Sequence, residues 1–302
     1  MCCSRIVLLS AFVLVAVYTL PARPSPLEDG IAAYERHDYK AAVELLLPLA
    51  RQGAADAQYR LALTYEHADG SLHDDALAAI WLDKAAAQNH PEAQLELATA
   101  YRDGHGVEID AGRAVELYGK AADRGLATAQ LNLGLMYHFG QGVKQDYDQA
   151  MKWYLAAAVQ SDVNAFYNVG QMYKLGLGVK RDDAQAAKWY RRAAEKGLAE
   201  AQYNLGLLLQ NGLGVSQDDD KAISWYLKAA EQGDARSQNN LGWMYANAFG
   251  APRDYVEAYT WFTLAALQGK KNAARNRNLI AQSMSPDQIG EAMSLAYQRQ
   301  SR

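Results

Sequence analysis

The stretch "LGLMYHFGQGVKQD", from Leu133 to Asp146, is written twice more with small changes. It returns as "VGQMYKLGLGVKRD" from Val169 to Asp182 and as "LGLLLQNGLGVSQD" from Leu205 to Asp218, each copy starting 36 residues after the last. A fixed period of roughly 20–50 residues marks a chain built by stacking one supersecondary unit. Counting from Gly53 in steps of 36 lands on Asn89, Gly125, Ser161, Gly197, Gly233 and Gly269, so six units span 53–268 without insertion or deletion.

Each unit reads as two helices, A and B. In the third unit helix A is expected from about Ala127 to Phe139, because Ala129, Leu133 and Tyr137 recur at helical spacing. At offset 5 stand Gln58, Gln94, Gln130, Phe166, Gln202 and Gln238, and at offset 12 stand Tyr65, Tyr101, Tyr137, Tyr173, Leu209 and Tyr245. Gly134, Gly170, Gly206 and Gly242 lie inside helix A, where each costs about 1 kcal/mol relative to Ala, so close helix–helix approach is the expected return. An Asp recurs at offset 21, as Asp74, Asp110, Asp146, Asp182, Asp218 and Asp254. That position suits the N-cap of helix B, where a carboxylate accepts orphan backbone N–H groups. At offset 28 stand Trp81, Leu117, Trp153, Trp189, Trp225 and Trp261, followed in every unit by a tandem Ala pair. Trp and Ala are expected to face the core.

The run "AQLNLGLMYHFGQGVKQDYDQAMKWYLAAA" (Ala129–Ala158) and its five copies resemble the Sel1-like repeat family, relatives of the tetratricopeptide repeat. The resemblance implies an all-α fold, a right-handed α/α solenoid of helix pairs whose helix A lines an extended concave face. The first unit departs from the pattern at "HADGSLHDD" and the sixth at "NAFGAPRD", as end units of a stack do. Before the ruler, residues 23–52 read as a linker and a capping helix pair, with Asp38 at the Asp position and Ala42 behind it. After it, residues 269–302 read as C-terminal capping helices. Ser285, Pro286 and Gln288 there form a capping-box signature, and the helix they open is expected to cover the last apolar face.

Residues 1–22 differ. Arg5 precedes an uncharged apolar run, Ile6 to Leu20, about as long as a signal-peptide core and shorter than the roughly 20 residues of a spanning helix. Both an export signal ending at Ala22 and an uncleaved inner-membrane anchor place the repeats outside the cytoplasm, in the periplasm or beyond. The only cysteines, Cys2 and Cys3, precede that run, so the repeats hold neither a disulfide nor thiolate chemistry.

Half the residues are apolar and the formal net charge is −4, with no long basic run. Nucleic acid is therefore not an expected partner, since phosphate neutralisation needs clustered Lys and Arg. The sequence lacks H-E-x-x-H, C-x-x-C and G-x-S-x-G, and no Ser or Thr stands three residues before a Lys, so no catalytic residue is assigned. The Gly-x-Gly pairs follow a helix rather than a strand and are read as loop geometry. His67, His105 and His138 are read as solvated loop histidines, and the Asp row lacks calcium-loop spacing, so neither metal nor cofactor is expected.

The candidate binding face is the side of helix A at offsets 3, 6, 10 and 13, with offset 7 beside it. It offers Asn132, Asn168, Asn204 and Asn240 beside Tyr167 and Tyr203, and Trp243 where other units hold Leu, Thr or Gln. Asn pairs with peptide N–H and C=O together, and aromatics anchor a partner. The competing reading makes the Asn row a ladder between neighbouring helices and Trp243 a packing residue against the cap between Lys270 and Ser283. The expected function is a non-enzymatic protein-interaction scaffold or regulator of the cell envelope. A glycan-binding or cell-wall hydrolase role, of the β-lactamase-labelled type among similar proteins, is the alternative. A luminal adaptor of a eukaryotic degradation machinery is a weaker third.

Overall fold

The structure is a computed structural model that describes residues 25–300. The export signal or anchor expected at residues 1–22 lies outside the described residues. A first pair, α1 (Pro26–Glu35) and α2 (Tyr39–Arg51), precedes the six units. These are α3 (Ala55–His67) with α4 (Asp75–Ala87), α5 (Pro91–Asp103) with α6 (Ala111–Asp123), and α7 (Ala127–Phe139) with α8 (Tyr147–Val159). There follow α9 (Val163–Leu175) with α10 (Asp183–Glu195), α11 (Ala199–Asn211) with α12 (Asp219–Glu231), and α13 (Ala235–Asn247) with α14 (Tyr255–Leu267). The chain closes with α15 (Lys271–Ala281) and α16 (Pro286–Gln300). No strand occurs among the described residues. Each A helix packs on its own B helix, and each B helix on the next A helix, so the layers form one continuous stack.

The repeated residues explain this order. Every offset-21 Asp caps its B helix, as where Asp146 accepts from the Gln149 N–H at 2.9 Å and Asp182 from Gln185 at 2.9 Å. Asp38 does the same for α2. Helix A ends at the first loop glycine, in the left-handed region. The second loop glycine also has positive φ, and a Cβ on Gly142 would strike the backbone of Ala111, at the start of the preceding B helix. Glycine is therefore what lets one unit seat its loop on the unit before it.

The offset-5 glutamines knit the layers. Gln130 Nε2 donates to the Ala122 carbonyl at 3.1 Å, and its Oε1 accepts from Gln160 at 2.9 Å. Gln58, Gln202 and Gln238 repeat both bonds. Phe166 breaks the series, and the Arg192 guanidinium lies 4.0 Å over its ring.

The core differs from the expectation at offset 28. Trp81 and Trp261 are buried, but Trp153, Trp189 and Trp225 are only half-buried. The fully buried aromatic is the next residue: Tyr118, Tyr154, Tyr190, Tyr226 and Phe262. One step along a helix turns a side chain by about 100°, and the A helix of the same unit receives the second ring rather than the first. The interior glycine is what admits it, since a Cβ on Gly134 would stand 2.7 Å from the Tyr154 ring. Each tryptophan instead lies under a cation: Lys84 over Trp81, Lys152 over Trp153, Arg192 over Trp189 and Lys228 over Trp225. The offset-12 tyrosines are also mostly half-buried.

At the C-terminus, the Ser285–Gln288 capping box forms as expected. The helix it opens does not extend the stack. α16 lies along α14, whose outward face carries Thr260 and Thr263 and has Leu264 where four earlier units hold Lys84, Lys120, Arg192 and Lys228. Thr260 Oγ1 donates to the Ala292 carbonyl at 3.1 Å. Arg299 pairs with both Glu257 oxygens at 2.8 Å and supplies the cation over Trp261, at 4.4 Å.

Candidate functional site

The A helices present offsets 6, 7 and 10 as one surface across the stack. The four asparagines are all half-buried, and their partners differ. Asn132 Oδ1 accepts from Arg102 of the preceding A helix at 3.3 Å. Asn204 Nδ2 donates to the Glu200 carbonyl in its own helix at 2.7 Å, and Asn240 accepts from Asn239 at 3.5 Å. Asn168 makes no hydrogen bond with the described residues. Two of the four thus reach a neighbouring helix, Asn132 to Arg102 of α5 and Asn240 to the Tyr226 hydroxyl of α12, and the other two do not.

Tyr167 and Tyr203 lie over the buried rings of their own units, at 5.7 Å from Tyr190 and 6.0 Å from Tyr226. The Tyr167 hydroxyl accepts from Gln171 at 2.6 Å, which in turn accepts from the Tyr190 hydroxyl at 2.9 Å. Arg236, paired with Asp234 at 2.6 Å, covers the Tyr203 ring at 4.4 Å. Burial pushes the Tyr203 hydroxyl above the usual phenol range.

Trp243 remains 41 % exposed and stacks on Phe249, with centroids 4.8 Å apart and planes 7° from parallel. The hydrophobic cluster of the cap is made by Phe262, Ala265 and Ala273 with Tyr245 and Ile280, and Trp243 is not part of it. The ring rests instead on its own inter-helix loop.

Phe249 was not legible from helical spacing, since it lies past the end of the helix. It belongs to an apolar run at offsets 14 and 16, comprising Phe139, Leu175, Leu213 and Phe249, all exposed. The signal lay in the columns themselves, where units one and two hold His67, Asp69, Asp103 and His105. Between units two and three, Ile109 and Phe139 flank a groove of about 650 Å³ floored by Leu135 and Met136, with Asn132 in its wall.

The histidines also divide. His67 and His105 are exposed, as expected, but His138 packs among Phe139, Tyr147 and Tyr154. Its Nδ1 is buried without a partner, and burial pushes its pKa down. No cluster of three or more metal-ligating side chains occurs among the described residues.

A stack of helix pairs with one variable, half-buried surface is the architecture of a helical-repeat scaffold. Seven consecutive segments match the Sel1 repeat model, at 27–53, 55–90, 91–126, 127–162, 164–198, 199–234 and 235–270, and the chain belongs to that family. The first match covers the α1–α2 pair. Among solved structures it is similar to a protective antigen of uropathogenic Escherichia coli strains displaying the same repeat fold. The two are 35% identical with a TM-score of 0.78, over 85% of this chain and 55% of that one. It is also similar to a Sel1 repeat protein from Oxalobacter formigenes, at 36% identity and a TM-score of 0.70, over 83% of this chain and 73% of that one. This chain thus spans little more than half the length of the first. A search of curated proteins found no match. Repeats of this class generally act as protein-interaction scaffolds and are typically non-enzymatic.

Proposed function

We propose that this chain is a non-enzymatic scaffold of the cell envelope that holds a segment of a partner protein along its helix-A face. The observation that carries the reading is the Trp243–Phe249 stack. A large aromatic pair that the core does not use stays exposed beside half-buried Asn and Tyr side chains. Burying such an aromatic at an interface is worth about 2 kcal/mol or more, while Asn168, with no hydrogen bond to the described residues, offers both a donor and an acceptor to a peptide group. The envelope location rests on the apolar run from Ile6 to Leu20. Among the described residues no helix is long and apolar enough to cross a membrane.

The test is quantitative affinity capture from an envelope fraction with wild type and Trp243→Ala, alongside thermal melting by circular dichroism. The expected result is a protein captured by wild type, depleted about 30-fold or more by the variant, with the melting temperature nearly unchanged. Capture that survives while the melting temperature falls sharply would return Trp243 to a structural role and overturn the reading.

A further inference from the structure

The helix-A surface is unlike at its two ends. At the N-terminal end, Glu66 on α3 and Glu96 on α5 line one narrow slot with Thr99 and His105. Neither carboxylate makes a hydrogen bond or ion pair with the described residues. Burial, then the neighbouring Glu66, pushes the Glu96 carboxyl above the usual range, with His67 acting weakly the other way. His67 is itself tied through Nδ1 to the Tyr34 hydroxyl at 2.7 Å. Tyr59, on the same surface, is pushed up to about 12 by burial and then by Glu96. The remaining units offer apolar contacts instead: the Ile109–Phe139 groove, then Leu175 and Leu213, then the Trp243–Phe249 stack. Two basic groups of those A helices are engaged, Lys174 by Asp183 at 2.9 Å and Arg236 by Asp234.

Resting on the scaffold reading above, we propose that the occupant is a bipartite segment of a partner protein. A lysine or arginine at one end lies across the mouth of the Glu66–Glu96 slot, and aromatic or aliphatic side chains follow onto the Ile109–Phe139 groove and the Trp243–Phe249 stack. Charge complementarity selects this chemistry. Burial and the neighbouring Glu66 disfavour the ionised form of Glu96, and a cation beside the pair relieves that cost. A phosphate backbone or an anionic membrane surface would be repelled from the same slot. The apolar contacts then hold the segment, since rows of this kind gain by leaving water. At about 10 Å per neighbouring A helix, the path from α3 to α13 is roughly 50 Å, which an extended segment of about 15 residues spans.

A random 16-residue peptide library displayed on phage, panned against the full chain, tests this. The expected yield is peptides with Lys or Arg at one end and Trp, Phe or Leu beyond it. A fluorescent copy of the strongest clone should bind about 10-fold more weakly to Glu96→Gln and about 30-fold more weakly to Trp243→Ala. The first difference should shrink at high salt, and both variants should melt as wild type or higher. Peptides without a cation, sensitive to Trp243→Ala but indifferent to Glu96→Gln, would overturn the charge assignment and leave the scaffold reading standing. No enrichment, or binding indifferent to both variants, would overturn both.

Discussion

Across offset 7 of the A helices, the first two units carry Arg60 and Glu96, and the next four carry Asn132, Asn168, Asn204 and Asn240. At offsets 14 and 16 the first two carry His67, Asp69, Asp103 and His105, where the later ones place Phe139, Leu175, Leu213 and Phe249. Beneath these surfaces the cores nearly coincide. Tyr118 in the second unit is as fully buried as Tyr154, Tyr190 and Tyr226, and the offset-5 glutamine reaches the same carbonyl from Gln94 as from Gln202. The contrast shows where a stacked fold is free to vary. A core side chain touches the units before and after its own, so a change there must fit two neighbours at once. A side chain on the outward half of helix A has solvent on one side, and its substitution leaves the stack in place.

Five predictions probe that contrast, from the largest effect to the smallest. Tyr118→Ala and Tyr190→Ala should each cost about 3–5 kcal/mol, as truncations of fully buried large side chains do, measured by urea denaturation. Near-equal costs in the two regions support one shared core, and a gap of several-fold would break it. Trp189→Ala, at a half-buried ring, should cost visibly less than Tyr190→Ala. Removing a B-helix cap in either region, by Asp110→Ala or Asp182→Ala, should cost about 0.5–2 kcal/mol and leave partner affinity alone. Loss of affinity at an unchanged melting temperature would make the Asp row part of the binding surface.

Ala248 stands where four units have the first loop glycine, and it holds φ +60°. A left-handed non-glycine residue costs about 1–2 kcal/mol, so Ala248→Gly should stabilise the sixth unit by about 1 kcal/mol, read as a higher denaturation midpoint. The mildest effect belongs to Glu96. Its raised pKa means the folded state prefers the protonated form. Stability from this group is therefore present below the ordinary carboxylate pKa and is lost as pH rises through the raised one. Glu96→Gln should raise the melting temperature at pH 7 and gain progressively less on acidification through the carboxylate range. The same substitution to Gln at exposed Glu92, outside the slot, serves as the comparison. Equal responses at both positions would show that the Glu66–Glu96 slot is not special.

The architecture was legible because its signals are local and recur. The Asp caps, the left-handed loop glycines and the Ser285–Gln288 box each act within a few residues of their own position, and 36-residue spacing repeats each test. Of the binding surface, the helical part was legible: Tyr167, Tyr203 and Trp243 lie on the expected face with Asn132, Asn168, Asn204 and Asn240. Phe249 and Ile109 were not, because they stand in loops whose direction no helical period sets. The route of α16 was half legible. Thr260, Thr263 and Leu264 remove the charges expected on an outward face, but nothing in that stretch names the helix that covers it.

Read alone, the residues determined the helix pairs, their ends and their stacking, since each depends on hydrogen bonds and spacing within one turn or one period. Only the tertiary structure decided which of two adjacent aromatics is core. Trp153 and Tyr154 differ by one residue, and the choice between them rests on where the Gly134 backbone of the partner helix leaves room for a ring. It also decided that Trp243 meets Phe249 and that Glu66 meets Glu96 across two units. Such meetings depend on how far each helix is rotated against the next, and that rotation is a property of packed side chains rather than of any one stretch of chain.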